Sequence, residues 1–204
     1  MKTFISAFIT ILMLCIIATG CKKDSKKEEI KTNYLKVDGT EYDISQGFLK
    51  TISDNSSPDS AAWRIELFLL SSDISYREYE TPFSGIGHII FFNLYSSTNN
   101  KIAIGDYDYN NSKNVGSFDS AVYRLNWDII KQPGNQGIQM SYGTVKVIKS
   151  ESASPYELSN SGKEYELSFS GTDANNKAIS GYYKGRLLMY FYHGYKKSPK
   201  FMPY

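Results

Sequence analysis

From residue 33 onward the apolar residues recur at every second position, and this period limits the folds open to the chain more than any other feature. Tyr123, Leu125, Trp127 and Ile129 alternate with Arg124, Asn126 and Asp128. Tyr165, Leu167 and Phe169 alternate with Glu164, Glu166 and Ser168, and Val145 and Val147 flank Lys146. Successive side chains of a β-strand point to opposite faces, so each run is a strand with one apolar and one wetted face. No window carries the i, i+3, i+4 spacing of an amphipathic helix. Two stretches, IELFLL (65–70) and HIIFFNL (88–94), are apolar at nearly every position, with Glu66 the break in the first. Both are expected as central strands covered on both faces.

Turn chemistry cuts these strands at short intervals. Asp38-Gly39 between YLKV and TEYDI is the strongest hairpin signal, because both central residues of the tight turn must take positive φ. Asn99-Asn100, PGNQG (133–137) and DANNK (173–177) read as further turns, and longer polar loops fall at 53–60, 76–87, 110–114 and 151–162. Roughly nine or ten strands joined mostly by hairpins give an all-β fold. An antiparallel β-sandwich is expected, with a closed up-and-down, lipocalin-like barrel as the alternative. The expected core is Trp63, Leu67, Phe91, Leu125, Trp127, Val147, Leu167, Phe169 and Leu187.

The first residues have another character. Lys2 precedes an apolar stretch, Phe4 to Ile17, that is shorter than the ~20 residues a spanning helix needs. Small residues Ala18, Thr19 and Gly20 follow, then Cys21. This segment resembles the signal and lipobox of bacterial lipoproteins, although Ala18 stands where leucine is commoner. The resemblance implies cleavage before Cys21, a diacylglycerol thioether on its thiol and an acyl chain on its freed amine. Cys15 would leave with the signal, so the mature chain would keep one cysteine and form no internal disulfide. The charged run KKDSKKEEIKT (22–32) cannot bury enough surface to order itself and reads as a tether. It resembles, in a lysine-rich form, the short charged signal that accompanies export of lipoproteins to the outer face in Bacteroidota; a spacer without an address is the other reading. The expected organisation is therefore a signal peptide (1–20), a lipidated tether (21–32) and a single all-β domain (33–204), at the cell outer membrane, with the periplasmic or surface face undecided.

Charge and residue usage narrow the function. Loss of Lys2 with the signal takes the formal charge from +2 to +1, and basic residues do not concentrate on any later segment, which argues against nucleic acid. The two histidines, His88 and His193, with no spare cysteine, cannot by themselves make the usual zinc site, and no G-x-S-x-G elbow is present. The expectation is a protein that is not an enzyme and holds no metal or cofactor, with a monomeric domain. Within GDYDYNN (105–111), Asp106, Asp108 and Asn110 are spaced like the first ligands of a calcium loop, but Asn111 and Ser117 stand where glycine and a bidentate glutamate are required. As a strand, the same stretch puts Tyr107 and Tyr109 on one face and the acids on the other. Asp106, Tyr107, Asp108 and Tyr109, ahead of the polar loop NNSKN, are the candidate ligand-binding residues.

Seventeen tyrosines suit recognition of sugars or peptides but equally fill half-buried β positions. Those at 182, 183, 190, 192 and 195 span a final strand of alternating faces. The layout of NYLKVDGTEYDIS, GIGHIIFFNLYSS, GTVKVIKS and YELSFSGTDANNKAISGYYKGRL is similar to that of small uncharacterised surface lipoproteins of Bacteroidota, a resemblance that carries no activity. Two functions follow as expectations: a non-catalytic module binding a glycan or protein partner at the envelope, or a structural and assembly accessory with no small ligand.

Overall fold

The structure is a computed structural model that describes residues 32–52, 61–76, 83–99, 101–132, 137–151 and 163–189. The signal peptide, Cys21, His193, Tyr190, Tyr192 and Tyr195 lie outside the described residues, as does the tether except for Thr32.

Eleven strands are formed: β1 (Tyr34–Val37), β2 (Thr40–Asp43), β3 (Gln46–Ile52), β4 (Trp63–Leu70), β5 (Ile74–Tyr76), β6 (Phe83–Ser96), β7 (Gly105–Tyr109), β8 (Ser117–Asp128), β9 (Ile138–Ser150), β10 (Lys163–Asp173) and β11 (Ala178–Met189). They make one sheet, not the two of a sandwich. Neighbours run β10-β9-β7-β8-β6-β4-β3-β11, and β11 pairs back onto β10, so eight strands close into a barrel. The sandwich expectation is thus corrected in favour of the barrel. The reason is that β11 is long enough to pair with β10 along its length, with β1 at its start (Tyr34↔Tyr182) and with β3 at its end (Leu187↔Gly47). The path is not strictly up-and-down, because β3 runs parallel to β11 and β7 parallel to β8. β7 is wedged between β8 and β9, which also pair directly at Tyr123↔Ile138. β2 extends from β1, and β5 from the start of β6.

The turns follow their chemistry. Asp38 (φ 50°) and Gly39 (φ 83°) both take positive φ, as a tight hairpin between β1 and β2 requires. Between β10 and β11 Asn176 takes φ 61°, and the Asp173 carboxylate accepts the amides of Asn175 (2.8 Å) and Lys177 (2.9 Å).

One irregularity redirects a predicted strand face. The β6–β8 register moves from Gly87↔Trp127 to Ile89↔Arg124, so Leu125 and Asn126 together oppose His88. Asn126 takes φ 49°, a left-handed position that asparagine tolerates better than most residues. Alternation slips by one across this bulge. Tyr123 consequently belongs to the cluster inside the barrel, whereas Trp127 and Ile129 belong to a second cluster on its outside. The expected common face for Tyr123, Leu125, Trp127 and Ile129 is corrected accordingly.

The two clusters explain the stretches that are apolar at nearly every position. On β4, Ile65, Leu67 and Leu69 enter the barrel interior while Phe68 and Leu70 join the outer cluster; on β6, Ile90 and Phe92 go in and Ile89 goes out. The outer cluster is covered by β5, whose approach is fixed by the Gln46 side chain: its Nε2 donates to the carbonyls of Ser71 (2.9 Å) and Ile74 (2.8 Å). Of the expected core, Leu67, Trp127, Val147, Leu167, Phe169 and Leu187 are buried, and Phe91 and Leu125 are partly buried against it. Trp63 is the exception at 36% exposure; it opens β4 and sits at the barrel rim, beyond the reach of the interior packing.

The barrel axis is filled with side chains. Phe92 lies 5.1 Å from Phe169, centroid to centroid, and a Cβ on Gly181 would come within 2.0 Å of the Phe169 ring. A Cβ on Gly47 would meet Leu187 at 2.1 Å. Glycine at these two positions lets neighbouring rings and methyls cross the axis.

Candidate functional site

The candidate residues 106–109 form β7, held by β9 through Asp106↔Lys146, Tyr107↔Val145 and Asp108↔Thr144. The alternation is as expected, and the interior face is the tyrosine face. Tyr107 is 2% exposed and donates its hydroxyl to the Ala103 carbonyl at 2.9 Å. Burial pushes that hydroxyl above its ordinary value, against the hydrogen bonds to Ser96 and Ala103. Tyr109 is partly buried, edge-on to Phe118 at 5.4 Å. Asp106 and Asp108 face outward, and Asp108 Oδ1 accepts the Thr144 hydroxyl at 2.7 Å. Asn110, the third oxygen of the calcium-like spacing, uses its side-chain oxygen to accept the Ser112 amide at 2.8 Å, opening the next turn. The structure therefore does not bring the four residues onto one surface: two aspartates remain outside, and the Tyr107 ring is taken up by the core.

What the outer face does offer around the aspartates is apolar. Ile104 and Ile148 lie just beyond the Gly105↔Val147 end of the β7–β9 ladder, Ile148 at a register shift of β9 against β10, and are 65% and 43% exposed. Val115, 41% exposed, flanks Asp106 on the other side, two residues before the Asp108↔Ser117 pairing of β7 and β8.

A second polar constellation was not anticipated. Glu66, 1% exposed on the outer side of β4, receives Lys50 Nζ at 3.4 Å and Arg64 Nη2 at 3.2 Å. Its cross-strand neighbour Asn93 donates Nδ2 to Asp119 at 2.7 Å, and the Tyr95 hydroxyl donates to the other Asp119 oxygen at 2.8 Å. The break at Glu66 in an otherwise apolar run was its one visible signal. A buried carboxylate between two cations is a positioning device more than a source of stability.

His88 sits at the Asn126 bulge, its ring 4.8 Å from that of Tyr42. Nδ1 accepts the Asn126 amide at 3.2 Å, so the neutral ring is the one that fits. Burial holds the imidazole below its ordinary 6.5, against the pull of Asp43 and Asp73. Because the folded value is the lower one, this residue leaves stability untouched above pH 6.5 and subtracts from it as pH falls from there through the folded value. Thermal unfolding between neutral and mildly acidic pH should show that decline, and His88→Gln, which keeps an acceptor but cannot take up the proton, should flatten it. An unchanged slope in the variant would remove His88 as its source.

Among the described residues no group of three or more His, Cys, Asp or Glu side chains is placed to hold a metal ion. No family model, no curated protein and no solved structure matches the chain.

Proposed function

We propose that this chain is a lipoprotein of the bacterial outer membrane, anchored by acyl chains on Cys21, whose barrel is a non-catalytic binding module at the cell envelope. The anchor rests on the ATGC segment and the charged run behind it. The binding role rests on one observation: Ile104, Val115 and Ile148 stand exposed around Asp106 on a rigid sheet face, and contiguous exposed apolar groups commonly mark contact sites. Of the two ligand classes, a protein partner is favoured over a glycan, because the rings of Tyr107, Tyr123, Tyr165 and Tyr183 are buried and Tyr142, 68% exposed, is the single strongly exposed tyrosine among the described residues, short of the several ring planes a sugar platform uses.

Cys21→Ser should release the protein from membranes, since each buried acyl methylene contributes about 0.8 kcal/mol and several chains act together. Retention of the variant after a carbonate wash would defeat the anchor. A photocrosslinker at Ile104 should give a discrete protein adduct in cells that one at Glu41 does not. Equal labelling at both, or none, would leave the structural accessory as the better reading.

A further inference from the structure

Arg124 is the one arginine of the described residues whose position is difficult to explain by the fold alone. It lies on the outside of β8, with its guanidinium carbon 4.3 Å from the centroid of the buried Trp127 ring. Its stem is fixed: Gly137 runs so close that a Cβ there would come within 2.8 Å of Arg124 Cγ and 2.4 Å of Val122 Cγ1. Its Nε is buried and meets no acceptor, and among the described residues no carboxylate lies within ion-pair distance. Burial alone draws the group below its ordinary value, with no neighbouring charge to offset it. A half-buried guanidinium with only a ring face for company retains part of its desolvation cost, because an aromatic face compensates a buried cation less than a hydrogen-bonded carboxylate does.

We propose that Arg124 is a binding site for a carboxylate, from a small acid or from an Asp or Glu side chain of a partner. A planar monoanion matches a single guanidinium fork in both charge and shape. A phosphate dianion calls for more positive charge than one guanidinium supplies, and Lys131, in the turn after β8, is already engaged by Asp128 at 3.3 Å. The adjoining rung adds an amide: Gln139 pairs with Val122 in the direct β8–β9 ladder, beside Arg124 on the same outer face, and is exposed to solvent. The stacked ring and the glycine-clamped stem keep the guanidinium in one place before any ligand arrives, which lowers the ordering cost of binding. This inference deepens the binding-module reading and does not depend on the lipid anchor.

Trp127 lies beneath the guanidinium that would hold the ligand and can report on it. In a Trp63→Phe version of the full chain, Trp127 emission should change saturably on titration with N-acetylglutamate α-amide, a monoanion, with roughly millimolar affinity, and not with sodium chloride at matched ionic strength. An N-acetylated, C-amidated peptide carrying one Glu between leucines should bind more tightly than N-acetylglutamate α-amide if the natural source is a partner protein, and no more tightly if it is a small acid. Arg124→Lys, which keeps the charge and loses the fork, should weaken binding about ten-fold, and Arg124→Gln should abolish it. A non-saturating response, an equal response to chloride, or one that persists in Arg124→Gln would overturn the proposal. If Arg124→Gln fails to fold, Arg124→Lys decides: undiminished affinity there overturns it as well. Saturation by phosphate or by phosphatidylglycerol vesicles, without N-acetylglutamate α-amide binding, would refute the carboxylate assignment. None of these outcomes bears on whether Cys21→Ser leaves the membrane.

Discussion

Replacing Trp127 with alanine is expected to lower the free energy of unfolding by about 3 to 5 kcal/mol, read from urea or thermal denaturation. The ring is buried in the outer cluster among Phe48, Phe68, Phe83 and Ile129. Its Nε1 donates to the Gln132 carbonyl at 2.8 Å, tying down the turn after β8. Removing it opens a cavity, releases that turn and strips Arg124 of the surface it stacks on, so the loss should fall at the high end for an aromatic truncation. A cost under about 1 kcal/mol would mean that the outer cluster collapses around the gap and contributes little to folding.

Asp173→Ala should be nearly as damaging. The carboxylate is fully buried and accepts three donors: the Tyr123 hydroxyl at 2.8 Å and the amides of Asn175 and Lys177. Alanine leaves all three without an acceptor; the Tyr123 hydroxyl becomes a buried orphan at about 1 to 3 kcal/mol and the two part-buried turn amides add less, so a total of about 3 kcal/mol is expected. Asp173→Asn retains an oxygen and should lose less. Burial raises the carboxyl, but the Lys177 and Asn175 amides and the Tyr123 hydroxyl outweigh it and leave the group below its ordinary 3.8. Its contribution is therefore complete above pH 3.8 and is lost as pH falls from there through the folded value. The asparagine variant should unfold with a shallower dependence on acid over that range; an unaltered acid limb would show that other carboxylates govern it.

These residues also show what could be read from sequence. The Asp38-Gly39 hairpin was legible because its demand for positive φ is local, and the β10 alternation was legible because it runs without interruption through Tyr165, Leu167 and Phe169. The Asn126 bulge was not, since a run of alternating residues looks the same whether or not one of them is squeezed out of the ladder. Period two also states which residues share a face without stating which face is inward, and this is why Tyr107 could be paired with Tyr109 as a ligand candidate although its ring faces the barrel interior. Trp63 shows that the correct parity does not guarantee depth. Glu66 stood out as a break, but its partner Lys50 and its neighbour Asn93 come from adjacent strands, and only the register places them beside it. The parallel seam between β3 and β11 joins segments so distant along the chain that no short-range signal announces it.

That seam bears on the order in which the chain can fold as it emerges. β11 forms both of the last junctions, to β10 and to β3, so the ring stays open until residues 178–189 have been delivered. Until then β3 and β10 each present an unpaired edge, with the apolar residues of β4 and β6 already exposed between them. Such an intermediate is slow to resolve, because its decisive contacts are long-range, and its edges are templates for pairing with other chains. A cell making this protein therefore has to keep the nascent strands apart until β11 arrives, and a chain interrupted before residue 178 would be left as an open, adhesive sheet.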